Sequence, residues 1–207
     1  LNLISGSLRV DDGEILLKGN NIAPLPEEER ALHIGRVHQN PSMGVAPSLT
    51  ILENLSLASK KGEPFGLKRL IRSERLDIFV SLLKDLDLGL EDKLNTQVRF
   101  LSGGQRQSLS LVMAAMKHPD LMLLDEHTAA LDPKTSQVVM EKTRELLDKY
   151  HITTIMVSHH IGDAIKYSQR VVMLDKGKIV LDKPSCDTSE EELLAIYQSK
   201  IHERIIA

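Results

Sequence analysis

Leu-Met-Leu-Leu-Asp-Glu, residues 121–126, is the stretch that decides the fold: four apolar residues in a row, then two acids. A run so short and so uniformly apolar reads as a strand buried on both faces. Helical spacing precedes it from Gln105 to about Lys117. It resumes from Lys134 to Tyr150, with Val139, Thr143, Leu146, Leu147 and Tyr150 along one face. Ile152–Val157 follows as a second buried strand, ended by Ser158-His159-His160. Continuous apolar strands alternating with amphipathic helices predict an α/β fold, a mostly parallel sheet flanked by helices.

Further out, residues 1–5 read as the tail of a helix stopped by Gly6, and Asp11-Asp12-Gly13 as a turn into a short strand, Glu14–Lys18. The paired aspartates are read as a solvated turn, since nothing nearby supplies the remaining oxygens of a cation site. Ile34–His38 is another strand, and the loop Asn40–Ser48 carries two prolines and one glycine. Thr50-Ile-Leu-Glu53 matches a capping box, Lys60–Arg72 reads as an exposed connection, and Leu76, Phe79, Val80, Leu83 and Leu86 recur at helical spacing. Residues 49–105 therefore form a helical subdomain inserted between 1–48 and 106–207 of a single domain. Val171–Leu174 and Ile179–Leu181 flank a hairpin turn at Asp175–Lys178. Ser189 to Glu192 opens a last helix, with Leu193, Tyr197 and Ile201 on one side.

Composition narrows the function. The 207 residues include 26 basic and 29 acidic side chains, for a net charge of −3. That balance excludes a broad nucleic-acid footprint, which needs a basic surface. With 3% aromatics and no tryptophan, base-stacking platforms are excluded too. A single cysteine, Cys186, rules out an intrachain disulfide and reads as a reducing compartment. The longest apolar run, Leu109–Met116, is followed at once by Lys117, His118 and Pro119, well short of a bilayer span.

Ligands of parallel sheets bind beyond the carboxyl ends of the strands. Asp125-Glu126 and Ser158-His159 end two strands there. An acid so placed holds Mg²⁺, and the next one polarises a water molecule. Leu101-Ser-Gly-Gly-Gln105 is a glycine-rich turn onto a helix N-terminus. Ser102 offers a hydroxyl, Gly103 and Gly104 offer close backbone N–H groups, and the helix dipole favours an anion.

With these motifs in order, the chain resembles the nucleotide-binding subunits of ATP-binding cassette (ABC) transporters. Leu101–Gln105 is similar to the family signature and Leu121–Glu126 to its Walker B strand. The resemblance makes Asp125 a metal-side residue and Glu126 the catalytic glutamate. Ala129-Ala-Leu-Asp132 matches the D-loop, His159 the switch histidine that acts on the γ-phosphate, and Gln39 the Q-loop glutamine, a ligand of both nucleotide and metal. His127 stands where the family commonly has proline, and Ser108 where arginine is frequent. The phosphate-binding loop G-x-x-x-x-G-K-[ST] does not occur in these residues; in the family it lies directly upstream of the helix that Leu1–Gly6 resembles. These residues alone are therefore expected to bind ATP poorly.

The resemblance further implies an ATPase with the fold of phosphate-loop NTPases, using Mg²⁺ and coupling hydrolysis to solute transport, in the direction of import. It implies a homodimer or paired nucleotide-binding subunit, membrane-spanning permease partners docked on 49–105, and a peripheral place on the cytoplasmic face of the cell membrane. The alternatives are a non-transport ABC ATPase of translation or DNA repair, and a nucleotide-binding fragment without activity.

Overall fold

The computed structural model describes residues 1–63 and 70–206. Of the expected connection Lys60–Arg72, residues 64–69 thus lie outside the described residues. At its start, Lys60 and Lys61 are half-buried rather than exposed. Lys61 donates to the carbonyl of Ile34 at 3.2 Å, and Lys60 pairs with Glu63. Glu63 also meets Arg75 and Lys117, and the Lys60 hydrogen bond leads the effects that hold its carboxyl down to about 2.

The chain divides into two compact units, Leu1–Ile155 and Met156–Ala207. The first opens with a short helix α1 (Asn2–Ser5), ended by Gly6. A small hairpin follows, β1 (Leu16–Leu17) against β2 (Asn20–Asn21). The expected strand Glu14–Lys18 is thus only two residues of ladder, because the turn at Lys18-Gly19, both at positive φ, begins immediately. Helix α2 (Glu27–Arg30) precedes β3 (Ile34–Val37).

Strand β3 pairs in parallel with β4 (Leu121–Asp125), Ile34 opposite Leu121 and Val37 opposite Leu124. Met122, Leu123 and Leu124 are at most 1% exposed, as a both-faced strand requires. Burying each such side chain stabilises the fold by about 2 kcal/mol. Between these strands run α3 (Ile51–Ala58), α4 (Leu76–Lys84) and α5 (Gly103–Ala115), with short 3₁₀ turns among them. Helix α3 starts on the capping box foreseen at Thr50 and Glu53. Helix α5 is buried nearly all round and packs on β3. Gly35 makes that approach possible, since a Cβ there would lie 2.9 Å from the carbonyl oxygen of Ala114.

Asp132 caps the long helix α6 (Pro133–Lys149), whose buried residues Val139, Met140, Thr143, Leu146 and Leu147 follow the expected stripe. The sheet order is β3-β4-β5, with β5 at Thr153–Val157. The expectation that β5 is buried on both faces does not hold: Ile155 is 40% and Val157 37% exposed. A β-branched apolar run looks alike in an end strand and a central one, and β5 ends the strand order.

The second unit contains α7 (Ile161–Tyr167), the antiparallel pair β6 (Arg170–Asp175) and β7 (Lys178–Pro184), and α8 (Glu190–Ile206). Val171, Leu181 and Leu193 form its core, with Ile161, Ile165, Met173 and Ile196 against them. Tyr197 is 56% exposed, so the seam of α8 runs from Leu193 to Ile196, not to Tyr197 as the spacing suggested.

One buried charge organises the start of the chain. Arg30 is 2% exposed, and its guanidinium donates to the carbonyls of Leu3 (2.6 Å), Ile4 (3.2 Å), Ala23 (2.6 Å) and Leu25 (2.9 Å). Two of these acceptors are the orphan carbonyls at the end of α1. Charge-assisted hydrogen bonds contribute about 1.5–3 kcal/mol each, and orphaned acceptors cost more. Arg30→Met should therefore destabilise the protein by about 3 kcal/mol or more, lowering Tm by roughly 6–12 °C. Calorimetry checks this; an unchanged Tm would mean that the four bonds are replaced by water at no cost.

Candidate functional site

The parallel register places the first cluster. Two residues beyond the pair Val37/Leu124, each strand carries a polar side chain, and Gln39 Nε2 donates to Glu126 Oε2 at 3.2 Å. Gln39 is exposed, and Asp125 and Glu126 are half-buried at the end of β4. On the other face, Arg36 lies opposite Leu123, two residues before Asp125, and donates to Asp125 Oδ2 at 3.1 Å. Arg36 also donates to Asn2 Oδ1 at 2.7 Å and Ser5 Oγ at 3.1 Å, tying the acid to α1. Sequence reasoning missed Arg36; a charged residue inside an otherwise apolar strand was the available signal, since such a charge needs a partner. His38, beside it, is held below the usual histidine range by burial first and by the Arg36 charge second.

A second cluster forms where two helices begin together. Ser102 Oγ accepts from the Gln105 N–H at 3.2 Å, and Gln105 Oε1 accepts from the Ser102 N–H at 3.3 Å, closing a capping box on α5. The Ser102 hydroxyl proton stays available to donate. Gln105 Nε2 reaches the Leu88 carbonyl at 3.2 Å. Asp132 Oδ1 accepts from the Thr135 N–H at 3.0 Å, and bonds from Thr135 hold its carboxyl below the ordinary range. Gly103 is exposed, but Gly104 is buried against α6, where a Cβ would fall 2.4 Å from Thr135 Cγ2. Packing of α5 on α6 is thus a reason for glycine at 104 beyond the anion approach foreseen for it.

His159 is exposed in the turn after β5, within the second unit. The neighbouring His160 is the N-cap residue of α7, and its N–H donates to Ser158 Oγ at 3.0 Å.

Asp125 and Gln39 were also read as metal-side residues. Among the described residues, no three His, Cys, Asp or Glu side chains gather into a metal-binding group. Mg²⁺ does not require one, because it is held by one or two carboxylates together with water and substrate phosphates. A carboxylate such as Asp125 and an amide oxygen such as Gln39 are donors of that kind, though Gln39 meets Glu126 on one face of the strand ends and Asp125 meets Arg36 on the other.

His127 is 1% exposed, and burial pushes its imidazole down to about 4. Its Nε2 lies 3.2 Å from Thr143 Oγ1, which donates onward to the Val139 carbonyl at 2.7 Å. The turn it follows is strained: Glu126 sits at φ 45, a left-handed value costing about 1–2 kcal/mol.

Two adjacent acids at the end of a buried parallel strand, with an exposed amide against one of them, form a polar cluster at the carboxyl edge of an α/β sheet, where ligands of such sheets bind. Comparison with known proteins makes the class specific. Residues 1–129 match the ABC transporter family. A tyrosine transport ATP-binding protein of Clostridioides difficile is 44% identical over 96% of this chain and 80% of its own length. A phosphonates import ATP-binding protein of Lactococcus lactis is 32% identical over 96% and 78%. The structure of the ATP-binding cassette MJ0796, dimeric and bound to ADP and Pi after hydrolysis, superposes with a TM-score of 0.71 at 27% identity, covering 89% of this chain and 78% of its own. The chain belongs to the ABC transporter family: it is an ATP-binding, ATP-hydrolysing transporter subunit. Among the described residues no helix is long and apolar enough to cross a membrane.

Buried neutral His127 makes stability depend on acid. In the unfolded chain its imidazole takes up a proton below about pH 6.5, while the folded protein refuses it until about pH 4. Between those values the unfolded state binds more protons, so stability falls as pH falls, by about 3 kcal/mol over the full window. Urea unfolding at pH 7.5 and pH 5 should show His127→Gln losing roughly 2 kcal/mol less than the parent. Parallel pH profiles for the two proteins would contradict this burial.

Proposed function

We propose that this chain powers an importer of amino acids or a closely related small solute, with Glu126 as the carboxylate that orients the attacking water. The observation that carries the reading is the 3.2 Å contact between Gln39 and Glu126 at the ends of two parallel strands, beside Asp125. In this reading Asp125 and Gln39 hold Mg²⁺, which supplies neutralisation of phosphate charge. Glu126 accepts a hydrogen bond from the water and aligns it with the γ-phosphorus. His159 donates to the γ-phosphate from its turn. Such catalysis is chiefly positioning and electrostatics.

Ser102, Gly103, Gly104 and Gln105, with Asp132, form the half-site offered to nucleotide bound by a second nucleotide-binding subunit, identical or paired. Supporting this, α5 and α6 begin side by side, Gly104 against Thr135, so two helix N-termini favour negative charge at one place. The helical region 49–105 is the inserted subdomain on which the permease docks, and the complex sits on the cytoplasmic face of the membrane. The amino-acid assignment rests on the tyrosine transport relative, 44% identical over 96% of this chain.

In the intact transporter, Glu126→Gln should keep ATP affinity within about threefold while steady-state hydrolysis drops by roughly 10²-fold or more. Measuring kcat and nucleotide binding side by side tests this, and wild-type turnover would remove Glu126 from the role. Proteoliposomes holding the assembled transporter should accumulate labelled tyrosine only when ATP is supplied on the side of this subunit. Uptake of a phosphonate or polyamine in its place would overturn the substrate assignment and leave the ATPase reading intact.

A further inference from the structure

Residue 127 sits inside the turn that presents Glu126, yet the mechanism above gives it nothing to do. Strand β4 ends at Asp125, and Glu126 adopts φ 45, a conformation that persists in a non-glycine residue only where its surroundings enforce it. Immediately after it the His127 side chain is buried, pointing at the middle of α6 rather than at solvent.

The hydrogen bonds there have a fixed direction. Thr143 spends its hydroxyl proton on the Val139 carbonyl at 2.7 Å. Its oxygen, 3.2 Å from His127 Nε2, must therefore accept, so the imidazole carries its proton on Nε2. Nδ1 is then a bare lone pair, buried with no hydrogen-bond partner among the described residues. An orphaned buried acceptor is a cost that an apolar side chain of similar size would avoid. Packing alone therefore does not account for histidine here; the Nε2–H donor does. The rest of the turn is closed by its own backbone, with the Ala129 N–H on the Glu126 carbonyl at 2.9 Å and the Leu131 N–H on that of Thr128 at 3.1 Å. Asp132 then fastens it to the first turn of α6.

We infer that His127 is a positioning residue for Glu126: its bond to Thr143 anchors the turn to the interior of α6 and fixes where the carboxylate points. The inference rests on Glu126 being the water-orienting carboxylate. A misplaced carboxylate impairs the reaction step more than nucleotide binding, and displacements near 1 Å cost about 10²-fold in rate.

The test compares four single variants and one double variant in the intact, reconstituted transporter. His127→Leu and Thr143→Val both break the anchor, and should lower kcat by roughly 10- to 100-fold while the KM for ATP stays within about threefold. His127→Gln places an amide N–H near the same spot, and Thr143→Ser keeps the hydroxyl; both should retain kcat within about threefold of the parent. The double variant H127L/T143V should be no slower than the worse single, because one bond is lost either way. Normal kcat in Thr143→Val overturns the inference. So does an equal loss in His127→Gln and His127→Leu, or a loss confined to KM. If His127→Leu does not fold, the Thr143 pair decides the question. Glu126→Gln run in parallel keeps the two readings apart: normal turnover there sinks the role of Glu126 itself, whereas an inactive Glu126→Gln beside a normal Thr143→Val sinks only the anchor.

Discussion

The site depends on one pairing, Val37 opposite Leu124 in a parallel ladder. The two strands are far apart in sequence, and everything between them is a crossover that must bury its own apolar surface. A slip of one residue would turn Gln39 and Glu126 to opposite faces and part Arg36 from Asp125. Register is held by burial: Ile34 and Val37 face Leu121, Met122, Leu123 and Leu124, all at most 7% exposed. Apolar packing, which is non-directional, thereby fixes the polar groups to within hydrogen-bond distance.

Electrostatics then works on a small scale. Arg36 gives Asp125 a partly buried counter-charge and spreads its other donors over Asn2 and Ser5. The pair is part of a bridge between β4 and α1, and Arg30 holds the far side of that bridge by the α1 carbonyls. The short helix α1 would have little stability alone. Two guanidinium groups, Arg36 on the side chains of Asn2 and Ser5 and Arg30 on the carbonyls of Leu3 and Ile4, supply what its four residues lack.

Much of this was legible in the sequence, and the reasons differ by element. Strand β4 and its acids stand out because a both-faced strand leaves no polar interruption, and α6 because its stripe runs for several turns. The capping boxes at Thr50 and Ser102 are local, so spacing alone reveals them. Hidden from the sequence were features created by two elements meeting: Arg36 on Asp125, His127 on Thr143, Gly104 against Thr135. Strand β5 misled because its composition is that of a core strand while its place in the order is at an end. On α8, Leu193 has apolar candidates three and four residues on, and only the packing of the hairpin selects Ile196.

Helix α5 connects the two clusters of the site. At its first turn it carries Ser102 and Gln105; one turn on, Gln107, fully buried, donates to the His38 carbonyl at 3.1 Å, next to Gln39. Arg106 reaches Ser42 at 3.3 Å, and Gly44 is so close to Ser110 that a Cβ would fall 2.1 Å from its hydroxyl. The loop after Gln39 is fixed at its other end too, where buried Asn54 exchanges hydrogen bonds with the Ala46 backbone at 2.7 and 3.0 Å. Close-packed surfaces of this kind transmit strain from one to the other, because side chains interlocked at native density leave few voids to absorb it. The amide that touches Glu126 and the serine that caps α5 are thus joined by one packed helix, with Gln107 the hydrogen-bonded link between them.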